Sequence, residues 1–254
     1  MHERSYRYFD LVLVAFVTVL VCSNLIGPAK MCEIRLGWSI PGLGNSFLFG
    51  AGNIFFPISY IFGDVLTEVY GYARARRVIW AGFGALIFTT MMTLVMINLP
   101  PWQGQPESGF NEKYNAALAI ALGATWRISS ASMIAYWIGD FMNSYVLAKM
   151  KVASAGKHLW QRTIGSTIIG QGLDSIVFYP LAFYGIWPDK ELLQTMAFNW
   201  VFKVSIEVLF TPLTYLVVNF LKRAELEDFY DRNTDFNPFT MDVSEPDQPA
   251  QPLR

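Results

Sequence analysis

Long apolar runs separated by short polar stretches dominate the chain. A membrane-spanning helix needs about 20 mostly apolar residues, and six segments of the sequence meet this requirement. They are residues 11–27, 53–72, 78–99, 128–148, 163–187 and 196–221. The pattern therefore predicts an all-α polytopic membrane protein, in which six transmembrane helices form a bundle.

The connections between the apolar runs differ in character. Glycine and proline interrupt residues 31–52, so we predict a re-entrant or hairpin-like segment there. Residues 100–115 are polar, and the apolar stretch 116–125 is too short to span, so we expect it to lie at the membrane interface. Residues 1–223 are predicted to form the transmembrane domain. Residues 224–254 are acidic and Pro-rich, and we predict a cytoplasmic tail there, with disorder from Asp235 onward.

The basic residues outside the apolar runs predict the orientation. Cytoplasmic loops carry an excess of Lys and Arg. With the N-terminus inside the cell, four basic residues fall on the outer side and eleven on the cytoplasmic side. The eleven are Arg4, Arg7, Arg74, Arg76, Arg77, Lys149, Lys151, Lys157, Arg162, Lys222 and Arg223. Both termini are therefore predicted to be cytoplasmic.

The composition supports membrane insertion and argues against several classes of protein. The chain has 254 residues, of which 53% are hydrophobic and 15% charged, whereas soluble domains have about 25% charged residues. A formal net charge of −1 argues against nucleic acid as a partner. The two histidines, His2 and His158, lie in polar flanks. Since no His-Glu-x-x-His motif, nucleophile turn or phosphate-binding loop is present, we predict no enzyme activity, metal or cofactor.

Ionisable and amide residues occur inside the predicted spans, where a charge costs at least about 2.5–3.5 kcal/mol and normally faces a cavity or a partner. Most of them form pairs three or four residues apart, so each pair shares a helix face. The pairs are Asp64 with Glu68, Asp140 with Asn143, Gln171 with Asp174, and Lys203 with Glu207, while Arg127 stands alone at the outer mouth of the fourth span. Four helices with polar faces predict one polar cavity inside an apolar bundle, as in a transporter or channel.

Structural roles remain open for some of these residues. Glu68 can pair with Arg74 or Arg76 just beyond its span, and Arg127 can extend to the outer lipid headgroups. By contrast, Asp64, Asp140 and Asp174 have no cation at helical spacing, which favours a functional role for each of them.

The pair Lys203 and Glu207 has two interpretations. It can be a structural ion pair that fixes the last helix. Alternatively, Glu207 can exchange Lys203 for a proton or a cationic substrate, and so couple transport to an energy source.

Two segments resemble a known family. Residues 56–72, FPISYIFGDVLTEVYGY, followed by Arg77 and the sequence WAGF at 80–83, resemble the signature of the queuosine precursor transporters, also called the vitamin uptake transporter family. Residues 166–175, STIIGQGLDS, with Arg162 and Phe178, resemble the fifth-helix motif of that family. Ala135, Tyr136, Gly139 and Asn143 resemble its fourth. The resemblance covers residues 8–223.

This resemblance implies an importer in the bacterial inner membrane for 7-deazaguanine compounds (preQ0, preQ1 or queuine), which serves the salvage of a tRNA modification. It also implies a six-helix fold similar to the substrate-binding subunits of energy-coupling-factor vitamin importers, working without their ATPase module. The implied partners are the 7-deazapurine substrate and the lipid bilayer, and a homodimer is one candidate assembly.

The residue chemistry is compatible with such a substrate. A carboxylate can accept the ring N–H and the exocyclic amine of a guanine-like base, and an amide can donate to its O6 atom. We expect Asp174 and Gln171 to contact this edge. A second carboxylate suits the aminomethyl cation of preQ1, and Phe56, Tyr60 and Phe178 are candidates for stacking on the ring.

Two other functions remain as alternatives. One is a substrate-binding subunit of an energy-coupling-factor complex that imports another vitamin, although span one lacks the Ala-x-x-x-Ala docking pattern of such subunits. The other is a structural membrane protein whose buried carboxylates only fix the helix register.

Overall fold

The computed structural model describes residues 6–26, 31–40, 44–50, 55–100, 102, 110–123 and 126–243. This described part is mainly helical, with one two-stranded hairpin. The helices are α1 Phe9–Ile26, α2 Phe56–Tyr70, α3 Tyr72–Asn98, α4 Phe110–Leu122, α5 Trp126–Ala153, α6 Leu159–Phe183 and α7 Asp189–Glu225. The strands are β1 Met31–Ile40 and β2 Gly44–Gly50.

The hairpin occupies the segment that was predicted to be re-entrant or hairpin-like. β1 and β2 pair antiparallel, with Met31 opposite Gly50 and Ile40 opposite Gly44. The hairpin alternative is therefore confirmed, and the all-α prediction was wrong for this segment. The repeated glycines disfavour a helix, and the β-branched and aromatic residues between them suit extended backbone.

A single glycine joins α2 to α3. Gly71 adopts φ +84°, a left-handed conformation that favours glycine, and a Cβ atom there would lie 2.2 Å from the ring of Phe229. α3 therefore begins at Tyr72, six residues before the predicted start of its span. The arginines at 74, 76 and 77 belong to the first turns of α3 instead of forming a loop.

Each of the six predicted spans overlaps one helix, and α3, α5 and α7 begin before their apolar runs, whereas α2 is shorter than its predicted span. α7 has 37 residues where the apolar pattern predicted 196–221, since residues with good helix propensity continue it at both ends. α4 begins at Phe110, before the predicted stretch 116–125, and it contacts α3.

Three helical segments are long and apolar enough to cross a membrane by length and composition: α3, a stretch of Asn111–Ala153 that includes α5, and α7. The second half of α3 exposes large apolar side chains. They are Phe88, Met91, Met92, Leu94, Val95 and Met96. An apolar surface of this kind suits contact with lipid, and the chain is a membrane protein.

Contacts show that six helices alternate in direction. Glu225 at the end of α7 accepts hydrogen bonds from the backbone N–H of Tyr8 and from the hydroxyl of Tyr70, at 2.7 and 3.0 Å. Lys151 of α5 donates to the carbonyl of Glu68 at 2.6 Å, and Arg162 of α6 donates to the Glu68 carboxylate. The starts of α1, α3 and α6 therefore meet the ends of α2, α5 and α7. We call this the basic end of the bundle.

Residues 226–243 pack against the basic end, and we call them the C-terminal strap. Asp231 accepts the backbone N–H of Tyr72 at 3.0 Å. The guanidinium of Arg76, which is buried, donates to the carbonyls of Asp235, Asn237 and Asp242 at 2.7–2.8 Å. The predicted disorder from Asp235 therefore does not apply up to residue 243, because buried helix groups hold the strap backbone. Residues 244–254 lie outside the described part of the chain.

Candidate functional site

Two glycines bring α5 and α6 into close contact in the middle of the bundle. A Cβ atom at Gly139 would lie 2.9 Å from the Cβ of Asp174, and one at Gly170 would lie 2.7 Å from the Cβ of Asn143. Small residues allow helices to approach this closely. Asp174 of α6 therefore lies level with Gly139 and its neighbour Asp140 on α5, and Asn143 of α5 lies level with Gly170, one helical turn away.

Lys203 of α7 pairs with Asp174 of α6. The ammonium nitrogen lies 2.5 Å from the Oδ2 atom of Asp174, and both side chains are mostly buried. The prediction that Lys203 pairs with Glu207 on its own helix was therefore wrong. The side chain of Lys203 reaches the neighbouring helix because Asp174 projects towards α7 there.

Asp64 and Glu207 are two buried carboxylates without a basic partner among the described residues. Asp64 is fully buried on α2, and its Oδ1 atom accepts the amide of Asn143 at 3.0 Å. Its Oδ2 atom and both carboxylate oxygens of Glu207, which is 1% exposed, accept no hydrogen bond from the described part of the chain.

The carboxylates influence one another across four helices. Asp64 is within electrostatic range of Glu207 and Asp140, and Asp140 is within range of Asp174 and Lys203. The polar faces of α2, α5, α6 and α7 thus converge. We call Asp64, Asp140, Asn143, Asp174, Lys203 and Glu207 the central cluster.

A small cavity adjoins the central cluster. Its volume is about 10 Å³, which is room for about one water molecule. Asp140 and Asn143 line it, together with Ser59 of α2 and Ser144 of α5. Sequence reasoning did not select the two serines, and the only available signal was their position beside residues already selected.

Glu68 is the centre of a separate cluster at the basic end. Its Oε1 atom lies 2.8 Å from the Nη2 atom of Arg162, 2.7 Å from the ammonium of Lys222 and 3.5 Å from that of Lys151. The expected pairing with Arg74 or Arg76 was wrong, because both arginines bond backbone carbonyls. α2 thus carries two buried acids one turn apart, and only Glu68 has cations.

Asp228 of the strap completes this cluster. Its Oδ1 atom lies 2.6 Å from the ammonium of Lys151 and 2.7 Å from that of Lys222. Burial alone raises the pKa of Asp228, but the two lysines outweigh burial and hold the pKa below its usual range. Sequence reasoning missed this residue, since an acid in a Pro-rich tail gives no signal of burial.

The remaining predicted site residues lie elsewhere or have other contacts. Arg127 donates to the carbonyls of Leu181 and Tyr184 at 2.6 and 2.7 Å, so it caps the end of α6. Phe178 packs edge-on against Tyr179 and Phe183. Gln171 is buried on α6. The side chains of Phe56 and Tyr60 lie outside the described residues, although both positions belong to α2.

Among the described residues, no group of three or more His, Cys, Asp or Glu side chains is placed to hold a metal ion. The polar atoms of the central cluster are instead carboxylate and amide groups with one ammonium. Such groups can bind a polar organic molecule through hydrogen bonds, and they can hold protons.

Comparison with known proteins gives the family. Residues 50–217 match the profile of a family described as "Putative vitamin uptake transporter", and this match covers more than half of the chain. The chain belongs to this family. The matched range includes every residue of the central cluster and also Glu68.

Curated relatives carry transporter names. A "Probable queuosine precursor transporter" of Bacillus subtilis is 26% identical over 175 residues, which are 68% of this chain and 73% of the relative. The "Queuosine precursor transporter" of Escherichia coli is 24% identical over 193 residues, or 74% of this chain and 79% of the relative. A "Probable queuosine precursor transporter" of Haemophilus influenzae is 24% identical over 197 residues, or 75% and 78%. No solved structure matches the chain significantly.

Proposed function

We propose that this protein imports queuosine precursors, the 7-deazaguanine bases preQ0, preQ1 or queuine, across the bacterial inner membrane. The names of the relatives support this substrate class. The observation that carries the proposal is the central cluster, because four helices of an apolar protein place carboxylate and amide groups together in its interior. In the proposed topology six helices cross the membrane, as in energy-coupling-factor substrate-binding subunits, with the basic end and both termini in the cytoplasm.

The α5–α6 crossing is the proposed binding surface for the base. Asp174, Asp140 and Asn143 meet there, with Gln171 one turn from Asp174 on α6. A carboxylate can accept the two N–H groups on one edge of a guanine-like ring, while an amide donates to O6. Lys203 donates to the Asp174 carboxylate in the structure, and in this proposal the substrate replaces the lysine as donor.

The substrate requires movement of the helices. A deazaguanine ring is far larger than the space for one water molecule beside Asp140 and Asn143. Residues of α1, α2, α3 and α5 line this space, so these helices must move apart during transport. α2 contributes Glu68 to the cluster at the basic end and Asp64 to the central cluster. In this proposal the first cluster is a gate on the cytoplasmic side, and the substrate binds at the second.

Uptake in cells tests the proposal. A bacterial strain that cannot make preQ0 and lacks its own importer receives this protein, and queuosine in its tRNA is measured after addition of preQ0, preQ1 or queuine. We expect queuosine to appear with at least one precursor, and Asp174→Asn to reduce it by tenfold or more because one hydrogen bond to a charged group is worth about 1.5–3 kcal/mol. Asp189→Asn is the matched control, since Asp189 is exposed at the start of α7.

Two outcomes contradict parts of this proposal. If none of the three precursors restores queuosine while the protein is present in the membrane, the substrate class is wrong. If uptake occurs but Asp174→Asn transports as well as Asp189→Asn, the assignment of the α5–α6 surface is wrong.

A further inference from the structure

Asp64 and Glu207 differ from the carboxylates of Glu68 and Asp174, which contact cations. Glu68 has three basic partners and Asp174 has Lys203. Asp64 and Glu207 have none among the described residues, and three of their four oxygen atoms are buried without a hydrogen-bond donor. Charged carboxylates without partners are strongly disfavoured in a protein interior.

The carboxyl groups of Asp64 and Glu207 are also close enough to interact electrostatically. α2 packs against α7, and Asp64 is within range of Glu207, of Glu68 on its own helix and of Asp140 on α5. Asn143 of α5 donates to Asp64. The cation nearest along α7, Lys203, is one turn from Glu207 and is bound to Asp174 of α6. The surroundings of the pair are therefore acidic or neutral, apart from the cations that Glu68 already binds.

We propose that Asp64 and Glu207 together hold one transported proton, and that this proton couples substrate import to the proton gradient. Two nearby buried carboxyl groups titrate as a pair, because both cannot ionise where neither is solvated. This inference rests on the proposed transport function.

The mechanism follows from the change in solvation. In the closed form the pair keeps its proton, since losing it leaves a second charge in the interior. When α2 separates from its neighbours, water reaches the carboxyl groups, solvates the charged form and allows the proton to leave. One proton is taken up on one side and released on the other for each substrate molecule, so each cycle with a neutral base also moves one positive charge across the membrane.

Transport in proteoliposomes separates coupling from binding. The probe is radiolabelled preQ0, which lacks the cationic group of preQ1. Counterflow, the exchange of labelled external for unlabelled internal preQ0, needs no net movement of a proton, whereas accumulation against a concentration gradient does. For the wild type, we expect counterflow. With the membrane potential held at zero and the outside one pH unit more acidic, we also expect about tenfold accumulation, because one proton per substrate transmits a tenfold gradient.

The variant Glu207→Gln replaces the carboxyl group of the pair that lies outside the proposed α5–α6 binding surface with an isosteric amide that cannot release a proton. We expect it to retain counterflow and to lose accumulation, and Asp189→Asn to retain both activities. Infrared spectroscopy of the purified protein adds a readout that is independent of transport. At neutral pH we expect the C=O stretch of a protonated carboxylic acid in the wild type, reduced in Glu207→Gln.

Different results overturn different statements. If the wild type shows counterflow but its accumulation does not depend on the pH gradient, or depends on a sodium gradient, the proton pair is refuted. The proposed transport function then remains intact. Loss of counterflow in a folded Glu207→Gln protein places Glu207 in substrate binding instead. Absence of the carboxylic acid band from the wild type refutes the pair even if the Glu207→Gln protein does not fold. If wild-type protein shows no counterflow with preQ0, preQ1 or queuine, the transport function itself fails.

Discussion

At the scale of single residues, the buried acids of α2 show how environment separates two carboxyl groups of similar burial. Asp64 and Glu68 are both fully buried and one helical turn apart. Glu68 meets three cations and Asp64 meets an amide. The structure therefore requires a charged Glu68, whereas a neutral Asp64 fits its surroundings. A neutral substitution has opposite consequences in these two environments.

We predict that Glu68→Gln destabilises the protein and that Glu207→Gln does not. Glutamine at 68 leaves the charges of Arg162, Lys151 and Lys222 with too few partners, and breaking a buried ion pair costs about 3–5 kcal/mol. Glutamine at 207 removes a carboxylate that has no donor among the described residues. Thermal unfolding of the two purified variants in the same detergent measures the difference. Equal melting temperatures contradict the contrast between the two acids.

The sequence predicted several of the buried polar residues inside the spans but not which of them pair, and it did not predict the burial of Arg76, Lys151 and Arg162. Spacing along a helix identifies a shared face, so the polar faces of α2, α5, α6 and α7 were recognised before the structure was known. It does not identify the helix opposite that face. Lys203 was therefore expected to pair with Glu207 and in fact pairs with Asp174, and Glu68 was assigned to arginines near in sequence instead of Arg162.

At the scale of helices and strands, the crossing of α5 and α6 positions the proposed binding surface. Gly139 and Gly170 remove the side chains that would otherwise hold the two helices apart. The result is close contact between the helix backbones at Gly139 and Gly170, with Asp174 and Asn143 one turn apart on either side of it. The ends of these helices contribute little to the proposed binding surface.

We predict that Gly170→Ala weakens both stability and transport. The new Cβ atom would lie 2.9 Å from the carbonyl oxygen of Gly139, so the backbones must move apart, at a cost typical of overpacking, about 1–3 kcal/mol. Gly84→Ala is the matched control, because a Cβ atom there meets no other atom within 4 Å and alanine favours a helix over glycine. Thermal unfolding and preQ0 counterflow are measured for both. A Gly170→Ala protein as stable and active as Gly84→Ala contradicts the tight crossing.

Sequence reasoning located the helices better than their ends. An apolar run marks the part of a helix that faces lipid or core, and so each of the six predicted spans overlaps a helix of the described chain. Helix ends depend on polar residues and on single glycines. Gly71 therefore ended α2 without a loop before α3, and α7 continued through Lys222 and Arg223 to Glu225.

At the scale of the whole molecule, the basic end is closed by two connected sets of contacts. The Glu68 cluster ties α2, α5, α6 and α7 together, and the C-terminal strap crosses this cluster through Asp228. Composition could not predict the strap, since its order depends on the buried groups of other helices, such as Arg76 and Lys151, that bind its backbone. An inward opening of the bundle must break both sets, so the stability of the strap influences how easily this end opens.

We predict that Asp228→Asn loosens the strap at neutral pH. The carboxylate bonds two lysines, and a hydrogen bond to a charged group is worth about 1.5–3 kcal/mol, so we expect hydrogen–deuterium exchange in residues 226–243 to rise by about tenfold or more. In the wild type the same loosening requires acid. The folded pKa of Asp228 lies below its usual value, so its contribution is complete above the unfolded pKa of about 3.9 and disappears as the pH falls through the folded pKa.

Asp235→Asn distinguishes this effect from a general loss of acidic charge in the strap. Asp235 is an exposed strap carboxylate, and its side chain bonds Asn237 and Thr240 within the strap itself. Its removal leaves the two lysine contacts of Asp228 in place, so we expect exchange over 226–231 to stay at the wild-type rate at neutral pH. If Asp228→Asn exchanges no faster than Asp235→Asn there, the lysine contacts do not hold the strap. The closure of the basic end then depends on the Glu68 cluster and on the backbone contacts of Arg76.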